Sequence, residues 1–175
     1  MRWGRVAAAL GLAAGALLGS AGVADAHGAH GQPPWIEYRA QPWTDPAGTV
    51  CSFGVQADIL RDEERYRQYA TYPDGSPKVQ WWVGALDVRY TNLSTGKSVA
   101  RDLGGDGLFR YDRDGGFLLE VFGPAGARIT VGSIGSPPGE WVLNGRWDYR
   151  KSADGTHRQL RLFHGTKENL CDTLA

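Results

Sequence analysis

Two histidines near the start of the chain, His27 and His30, are the residues whose type and spacing best suit them to bind a metal ion. If the chain is cleaved after Ala26, His27 becomes the N-terminal residue, and its free α-amine and imidazole can bind one copper ion together. The imidazole of His30 can complete the set of ligands, because imidazole nitrogen suits copper. We therefore identify His27 and His30 as candidate metal ligands.

That hypothesis depends on residues 1–26, which have the order of a secretory signal peptide. Arg2 and Arg5 precede an apolar run from Val6 to Leu18, and small residues follow as far as Ala24-Asp25-Ala26. This arrangement is typical of export signals, and the apolar run is shorter than the roughly 20 residues that span a bilayer. We expect cleavage after residue 26 and a secreted, extracellular protein without a membrane anchor.

A mature chain that begins His27-Gly28 resembles the secreted lytic polysaccharide monooxygenases. Those enzymes build a copper site on an N-terminal histidine and have a β-sandwich core, so the resemblance implies a copper-dependent oxidation of polysaccharide. They also use a histidine from the middle of the chain, whereas here none lies between His30 and His157. A copper-binding polysaccharide oxidase therefore stays an alternative function.

The rest of the sequence contains no recognisable catalytic constellation. No partner residue is placed to orient His157 or His164 for acid–base chemistry, and no nucleophile elbow of the Gly-x-Ser-x-Gly type occurs. We therefore expect a non-catalytic protein, and no particular cofactor is indicated. The 19 basic and 19 acidic residues balance and are scattered along the chain, which argues against nucleic acid as a partner.

The chain has only two cysteines, Cys51 and Cys171. An even number of cysteines in an exported protein predicts a disulfide bond. The alternative, a catalytic thiol, would need a histidine partner and a reducing compartment. We therefore predict one Cys51–Cys171 bridge that closes a loop over most of the chain.

Residues 27–50 form a segment rich in proline that also carries Trp35 and Trp43. Proline forbids a regular helix and disfavours a central strand, so we expect an extended arm whose tryptophans dock on the body of the protein, or else a mobile tail. Residues 51–175 are predicted to form a single β domain.

Alternating apolar residues and frequent turns predict an all-β fold for residues 51–175. Residues 53–59 alternate in the period of two that is typical of a half-buried strand, residues 78–91 suggest one long strand, and residues 140–150 another. Residues 61–69 are ambiguous between a short helix, an edge strand and a loop. The spacing of the turns predicts an antiparallel β-sandwich or barrel of about eight or nine strands.

Short motifs of the chain resemble those of a group of small secreted β-proteins from actinobacteria that have no known activity. That group shares a cysteine at the first strand, a hairpin of the pattern Thr-Asn-x-x-Thr-Gly-Lys-Ser-Val and a terminal Cys-x-x-Leu-Ala. The matching segments here are Cys51, Pro73-Asp74-Gly75, Gly84-Ala85-Leu86, Thr91 to Val99, Gly104-Gly105 and Cys171 to Ala175. The resemblance implies an all-β secreted fold and carries over no functional residue.

The tryptophans are the main candidates for ligand binding. Trp81 falls on the opposite face of its strand from Trp82, and Trp35 and Trp43 lie on the arm. Exposed tryptophans on a β-sandwich can stack on sugar rings, so Trp81, Trp35 and Trp43 predict a module that binds an extracellular polysaccharide or a peptide. The competing interpretation is that Trp81 packs beneath the arm. A further alternative is a β-barrel that holds a small apolar molecule.

Overall fold

Residues 31–175, the part of the chain that this computed structural model describes, form twelve strands and one short helix. The elements are β1 (Ile36–Glu37), β2 (Trp43–Asp45), β3 (Val55–Asp62), β4 (Arg65–Thr71), β5 (Pro77–Val83), β6 (Leu86–Asn92), β7 (Ser98–Asp102), β8 (Asp106–Tyr111), β9 (Phe117–Ile129), β10 (Ile134–Gly135), β11 (Gly139–Lys151), β12 (His157–Asn169) and α1 (Leu170–Leu174). The predicted all-β class is confirmed, with more strands than the sequence indicated.

The strands form two sheets, one of eight strands and one of four. The larger sheet has the order β1-β4-β5-β8-β9-β11-β12-β10, and the smaller sheet has the order β2-β3-β6-β7. Neighbouring strands are antiparallel except β10 and β12, which run parallel. The fold is therefore sandwich-like, and of the two predicted architectures the sandwich is the one observed.

The proline-rich arm supplies one short edge strand to each sheet. β1 pairs with β4, and β2 pairs with β3. Edge positions tolerate neighbouring prolines, because an edge strand needs hydrogen bonds on only one side. The described residues of the arm are therefore attached to both sheets.

The single long strand predicted over residues 78–91 is wrong, because the chain changes sheets in its middle. β5 ends at Val83 in the larger sheet, and β6 begins at Leu86 in the smaller one. Gly84 makes the turn with a φ of +128°, and a Cβ at this position would overlap the carbonyl oxygen of Glu63. Only glycine combines that backbone conformation with so close an approach. The ambiguous residues 61–69 belong to the end of β3 and the start of β4.

The three longest strands, β9, β11 and β12, bend together along one line of glycines. Gly145 of β11 pairs with Gly123 of β9 on one side and with Gly165 of β12 on the other. All three have positive φ angles, of +103° at Gly123, +132° at Gly145 and +123° at Gly165. We call these three residues the glycine crease. A Cβ on Gly145 would overlap the carbonyl oxygen of His164.

The crease folds the larger sheet back on itself. The hydroxyl of Tyr149 donates a hydrogen bond to the carbonyl oxygen of Arg128 at 3.1 Å, and Arg128 is paired in the sheet with Glu140. A straight strand would hold Tyr149 about 30 Å from Glu140. The near half of the sheet (residues 139–144 of β11 and their partners) therefore faces the far half (residues 146–151 and their partners).

Two hydrophobic clusters hold these layers together. One lies inside the folded larger sheet; its buried members are Val121, Ala127, Ile129, Leu143, Trp147 and Tyr149. The other joins the smaller sheet to the near half and to the C-terminal helix; its buried members are Val50, Cys51, Val55, Ala57, Val88, Tyr90, Leu103, Val142, Leu170 and Leu174. The side chains of Val142 and Leu143 point to opposite faces of β11, so the near half is covered on both faces.

The predicted bridge between Cys51 and Cys171 is confirmed. It joins residues separated by 120 positions and ties the end of the arm to α1. The side chain of Asn169 caps α1 by accepting a hydrogen bond from the backbone nitrogen of Cys171 at 3.1 Å. Leu170 and Leu174 are fully buried, so the bridge and the helix fix the C-terminus in the core.

Asn92, at the end of β6, connects a hairpin turn to the same C-terminus. Its Oδ1 accepts a hydrogen bond from the backbone nitrogen of Ser94 at 2.8 Å, and its Nδ2 donates to the carbonyl oxygen of Leu174 at 3.0 Å. Gly96 closes the turn by donating its backbone hydrogen bond to the carbonyl oxygen of Asn92. Asn92 is 2 % exposed, so both polar ends of its amide are occupied inside the protein.

Candidate functional site

A pocket of about 450 Å³ is lined by both halves of the folded larger sheet and by the smaller sheet. Aromatic side chains of β5, β8, β9 and β11 form one wall, and Trp43, Leu86 and Tyr90 of the smaller sheet contribute to the other. Pockets of roughly 300–1,000 Å³ with mostly apolar walls are typical of sites for small molecules. The crease contributes to this pocket because it brings the far half of β9 and β11 over their near half.

Five aromatic rings form an unbroken row along the pocket wall. The ring centres are separated by 5.0 Å from Tyr38 to Trp82, 5.8 Å from Trp82 to Phe109, 5.4 Å from Phe109 to Phe117 and 5.9 Å from Phe117 to Tyr149. We call these residues the aromatic row. Such a surface offers edges and faces on which a flat or apolar molecule can pack.

Within the aromatic row, Trp82 is held by a hydrogen-bond network around the buried side chain of Gln80. The Oε1 atom of Gln80 accepts from Trp82 Nε1 at 3.0 Å and from the Tyr111 hydroxyl at 2.9 Å, while its Nε2 donates to Gln68 at 2.7 Å. Tyr66 stacks on Trp82 with ring centres 4.7 Å apart. Because Trp82 is fixed on two sides, little ordering is needed when a ligand binds.

The three tryptophans predicted to bind a ligand do not lie on one surface. Trp43 lines the pocket, with its ring edge-on to Tyr90 at 6.0 Å. Trp81 alternates with Trp82 and therefore points to the outer face of the larger sheet, where it is half-buried. Trp35 packs over the guanidinium of Arg67 at 4.3 Å, and Arg67 pairs with Trp81 across the strands. Trp35 of the arm thus lies on that outer face, one strand away from Trp81.

A group of polar side chains, two of them buried carboxyl groups, lies at the end of the pocket beside Trp43. Arg128 and Glu140 line the pocket, and Arg128 forms an ion pair with Asp45 through Nη2. The Arg128 Nε atom is 3.7 Å from Glu140 Oε2, which is longer than a hydrogen bond. We call Trp43, Asp45, Arg128 and Glu140 the polar cluster. Asp45 is 2 % and Glu140 is 1 % exposed.

Burial raises the pKa of Glu140 to about 8, and the negative charge of Asp45 acts in the same direction. Arg128 and the Tyr90 hydroxyl oppose this shift. Burial outweighs Arg128 because the arginine is already paired with Asp45. At neutral pH the carboxyl of Glu140 therefore prefers its uncharged form.

A second carboxyl group, that of Glu64, lines the pocket at the end where Tyr38 lies. Burial, and then the nearby charge of Asp62, raise the pKa of Glu64 to about 7. Lys151 and Arg158 also line the pocket, and the Lys151 ammonium lies 5.9 Å from the ring centre of Phe117. The rest of the wall is predominantly apolar, so charged groups occupy only its margins.

Replacing Glu140 by glutamine should change how stability depends on pH. The pKa of Glu140 rises from its ordinary 4.5 to about 8 on folding, so the folded protein holds this proton more tightly. That contribution to stability is complete below pH 4.5 and is lost as the pH rises through 8. The wild type should therefore lose about 1–3 kcal/mol relative to Glu140→Gln between pH 5 and pH 8. Urea unfolding at both pH values measures this difference.

The control is Glu37→Gln, because Glu37 is an exposed residue of β1. It should follow the wild type at both pH values. If the difference between wild type and Glu140→Gln is the same at pH 5 and pH 8, Glu140 does not carry the proton.

The predicted metal ligands His27 and His30 lie outside the described residues. Among residues 31–175, no group of three or more histidine, cysteine or acidic side chains is arranged to hold a metal ion. The copper hypothesis therefore stays a prediction about the N-terminus alone.

The pocket contains residues that the sequence analysis did not single out, above all Glu140 and Arg128. Glu140 is the second residue of β11. The only hint of a functional role in the sequence is its carboxylate, which stands next to Trp141 on a strand rich in large apolar residues. Nothing in the sequence distinguishes Arg128 from the other basic residues of the chain. Their proximity follows from the pairing of β9 with β11, which the sequence does not display.

No helix among residues 31–175 has both the length and the apolar character needed to span a membrane. Comparison with known proteins identified no relative: no protein-family model, no curated protein and no solved structure matches this chain.

Proposed function

We propose that this protein is a secreted binding protein that holds a small, largely apolar molecule in the pocket lined by its two sheets. The observation that carries the proposal is the aromatic row, which lines a pocket of about 450 Å³. Five rings in contact, with Trp82 held by a hydrogen bond to Gln80, form a preorganised surface for a flat or apolar ligand.

Secretion is supported by two independent features. Residues 1–26 have the composition of an export signal, and the Cys51–Cys171 bridge suits an oxidising compartment. Cleavage after Ala26 would make His27 the N-terminal residue, where it could bind copper. No contact among the described residues favours a copper-dependent activity over ligand binding.

The main competing function is a module that binds polysaccharide or peptide through the outer face, where Trp81 and Trp35 lie. Trp81 is only half-buried, which leaves part of its ring accessible. Trp35, however, is packed against Arg65 and Arg67, at 4.8 Å and 4.3 Å from their guanidinium carbons. The pocket offers a larger continuous aromatic surface, and we therefore prefer it.

The neighbouring tryptophans of β5 provide a matched test. The neutral dye N-phenyl-1-naphthylamine should fluoresce more strongly with the wild type, because it enters the aromatic row. Trp82→Leu should weaken dye binding about tenfold by removing a stacked ring from the pocket wall. Trp81→Leu, one residue away on the outer face, should leave dye affinity unchanged.

A third variant, Gly126→Val, fills the pocket and leaves the aromatic row intact. Gly126 lines the pocket, and a Cβ there would meet Leu103 at 3.5 Å, an ordinary contact distance. The side chain of valine should abolish dye binding while circular dichroism remains that of the wild type. Dye binding that is lost in Trp81→Leu and retained in Gly126→Val would place the ligand on the outer face.

A further inference from the structure

The polar cluster contains four buried polar atoms that have no hydrogen-bond partner within the described chain. They are Trp43 Nε1, Asp45 Oδ2, Arg128 Nε and Glu140 Oε2. Leaving buried donors and acceptors unpaired is unfavourable, and native proteins rarely tolerate it without a reason. Three of the four residues, Trp43, Arg128 and Glu140, line the pocket, so the unpaired atoms lie directly beside it.

In the structure, the side chains of the cluster do not satisfy these atoms. Arg128 already uses Nη2 to bind Asp45, and its Nε faces Glu140 Oε2 at 3.7 Å without reaching it. The indole nitrogen of Trp43 is held on a ring that packs edge-on against Tyr90 and lies 5.8 Å from the Arg128 guanidinium carbon. The cluster therefore presents donors and acceptors side by side at one end of an apolar wall.

We propose that the ligand of this pocket carries, next to its apolar body, an uncharged group with adjacent hydrogen-bond donor and acceptor, such as a carboxamide, which binds between Trp43 Nε1 and Glu140 Oε2. This inference rests on the proposed function and specifies the class of ligand. The acceptor of the group receives the Trp43 N–H, and its donor faces the Glu140 carboxyl.

The charges of the cluster support an uncharged group. Asp45 and Arg128 neutralise each other, and burial favours the uncharged form of Glu140. An anionic ligand would lose its hydration without finding a net positive charge in the cluster, because Arg128 is already paired with Asp45. A cationic ligand would require Glu140 to ionise in a buried place. Neither cost falls on a neutral amide.

Four ligands that share a naphthalene body test the proposal. They are naphthalene, 2-naphthamide, 2-naphthoate and 2-(aminomethyl)naphthalene, each measured by displacement of N-phenyl-1-naphthylamine at pH 7. We expect 2-naphthamide to bind about tenfold more tightly than naphthalene, and both charged compounds to bind more weakly than the amide. A charged member that binds more tightly than the amide would overturn the proposal.

Trp43→Phe removes the indole N–H and keeps an aromatic ring. It should lower the preference for 2-naphthamide over naphthalene to about twofold, while naphthalene affinity stays the same. Glu140→Gln still offers a donor and an acceptor, so it should retain the amide preference within about threefold. An unchanged preference in Trp43→Phe would contradict the assignment of the site.

The series also separates this inference from the proposed function. If naphthalene and 2-naphthamide bind with equal affinity, the pocket binds apolar molecules and the polar cluster does not select the ligand. If none of the four compounds displaces the dye or binds on its own, the proposed function fails and the inference fails with it.

Discussion

Replacing both Cys51 and Cys171 with alanine should lower the free energy of unfolding by about 4–5 kcal/mol, because the bridge closes a very long loop. The two residues are separated by 120 positions. In the chain-entropy account, that constraint removes many conformations from the unfolded state. Alanine keeps the site apolar, which matters because Cys51 is 4 % exposed in the core. Urea unfolding of both proteins under non-reducing conditions measures the loss.

Reductant provides the control for this prediction. Dithiothreitol should destabilise the wild type and leave the double alanine variant unchanged. Since α1 carries the buried residues Leu170 and Leu174, the reduced protein should first lose protection from hydrogen exchange at the C-terminus. A loss of stability below about 1 kcal/mol would show that packing alone fixes α1.

Gly145→Ala should be at least as destabilising as any substitution in the hydrophobic core, with an expected loss of about 4 kcal/mol or more. Its Cβ would overlap the carbonyl oxygen of His164 and lie 2.9 Å from the Cα of Gly165. Both of these atoms belong to the backbone, so the overlap cannot be relieved by rotation of a side chain. Thermal and urea unfolding give the loss of stability, and the dye N-phenyl-1-naphthylamine should no longer bind, because the crease contributes to the pocket.

Gly96→Ala separates the effect of backbone conformation from that of crowding. Gly96 also has a positive φ, of +75°, but nothing lies within 4 Å of an added Cβ. This variant should lose only about 1–2 kcal/mol, the cost of a left-handed conformation for alanine. If Gly145→Ala and Gly96→Ala are equally destabilising, close packing at the crease does not determine the bend.

The local character of many strands could be predicted from the sequence, because it depends on nearest neighbours. The alternation around Val55 and Ala57 identifies a half-buried strand, and both residues are fully buried in β3. The alternation in residues 140–150 likewise places Leu143, Trp147 and Tyr149 on one face of a strand, and all three belong to one hydrophobic cluster. In these cases the local alternation of apolar residues is enough to predict which face of the strand is buried.

The bend and the pocket could not be predicted in the same way, because they depend on how strands pair. Gly145 by itself looks like an isolated glycine in a strand, which predicts at most a bulge. The crease requires Gly123 and Gly165 to lie beside Gly145. That arrangement is set by the register between strands, which a local sequence pattern does not contain. Likewise, Trp82 and Tyr149 line the same pocket only because β5, β8, β9 and β11 are neighbours in one sheet.

The double role of Asn92 bears on the choice of expression host. Asn92-Leu93-Ser94 has the acceptor pattern for N-linked glycans. In the folded protein the amide nitrogen of Asn92 is buried and bonded to Leu174. A glycan can therefore be attached only before folding, as happens during translation in the eukaryotic secretory pathway. There it would replace the bond to Leu174 and exclude α1 from its place, so a host that does not glycosylate asparagine is the one in which this chain can reach its native state.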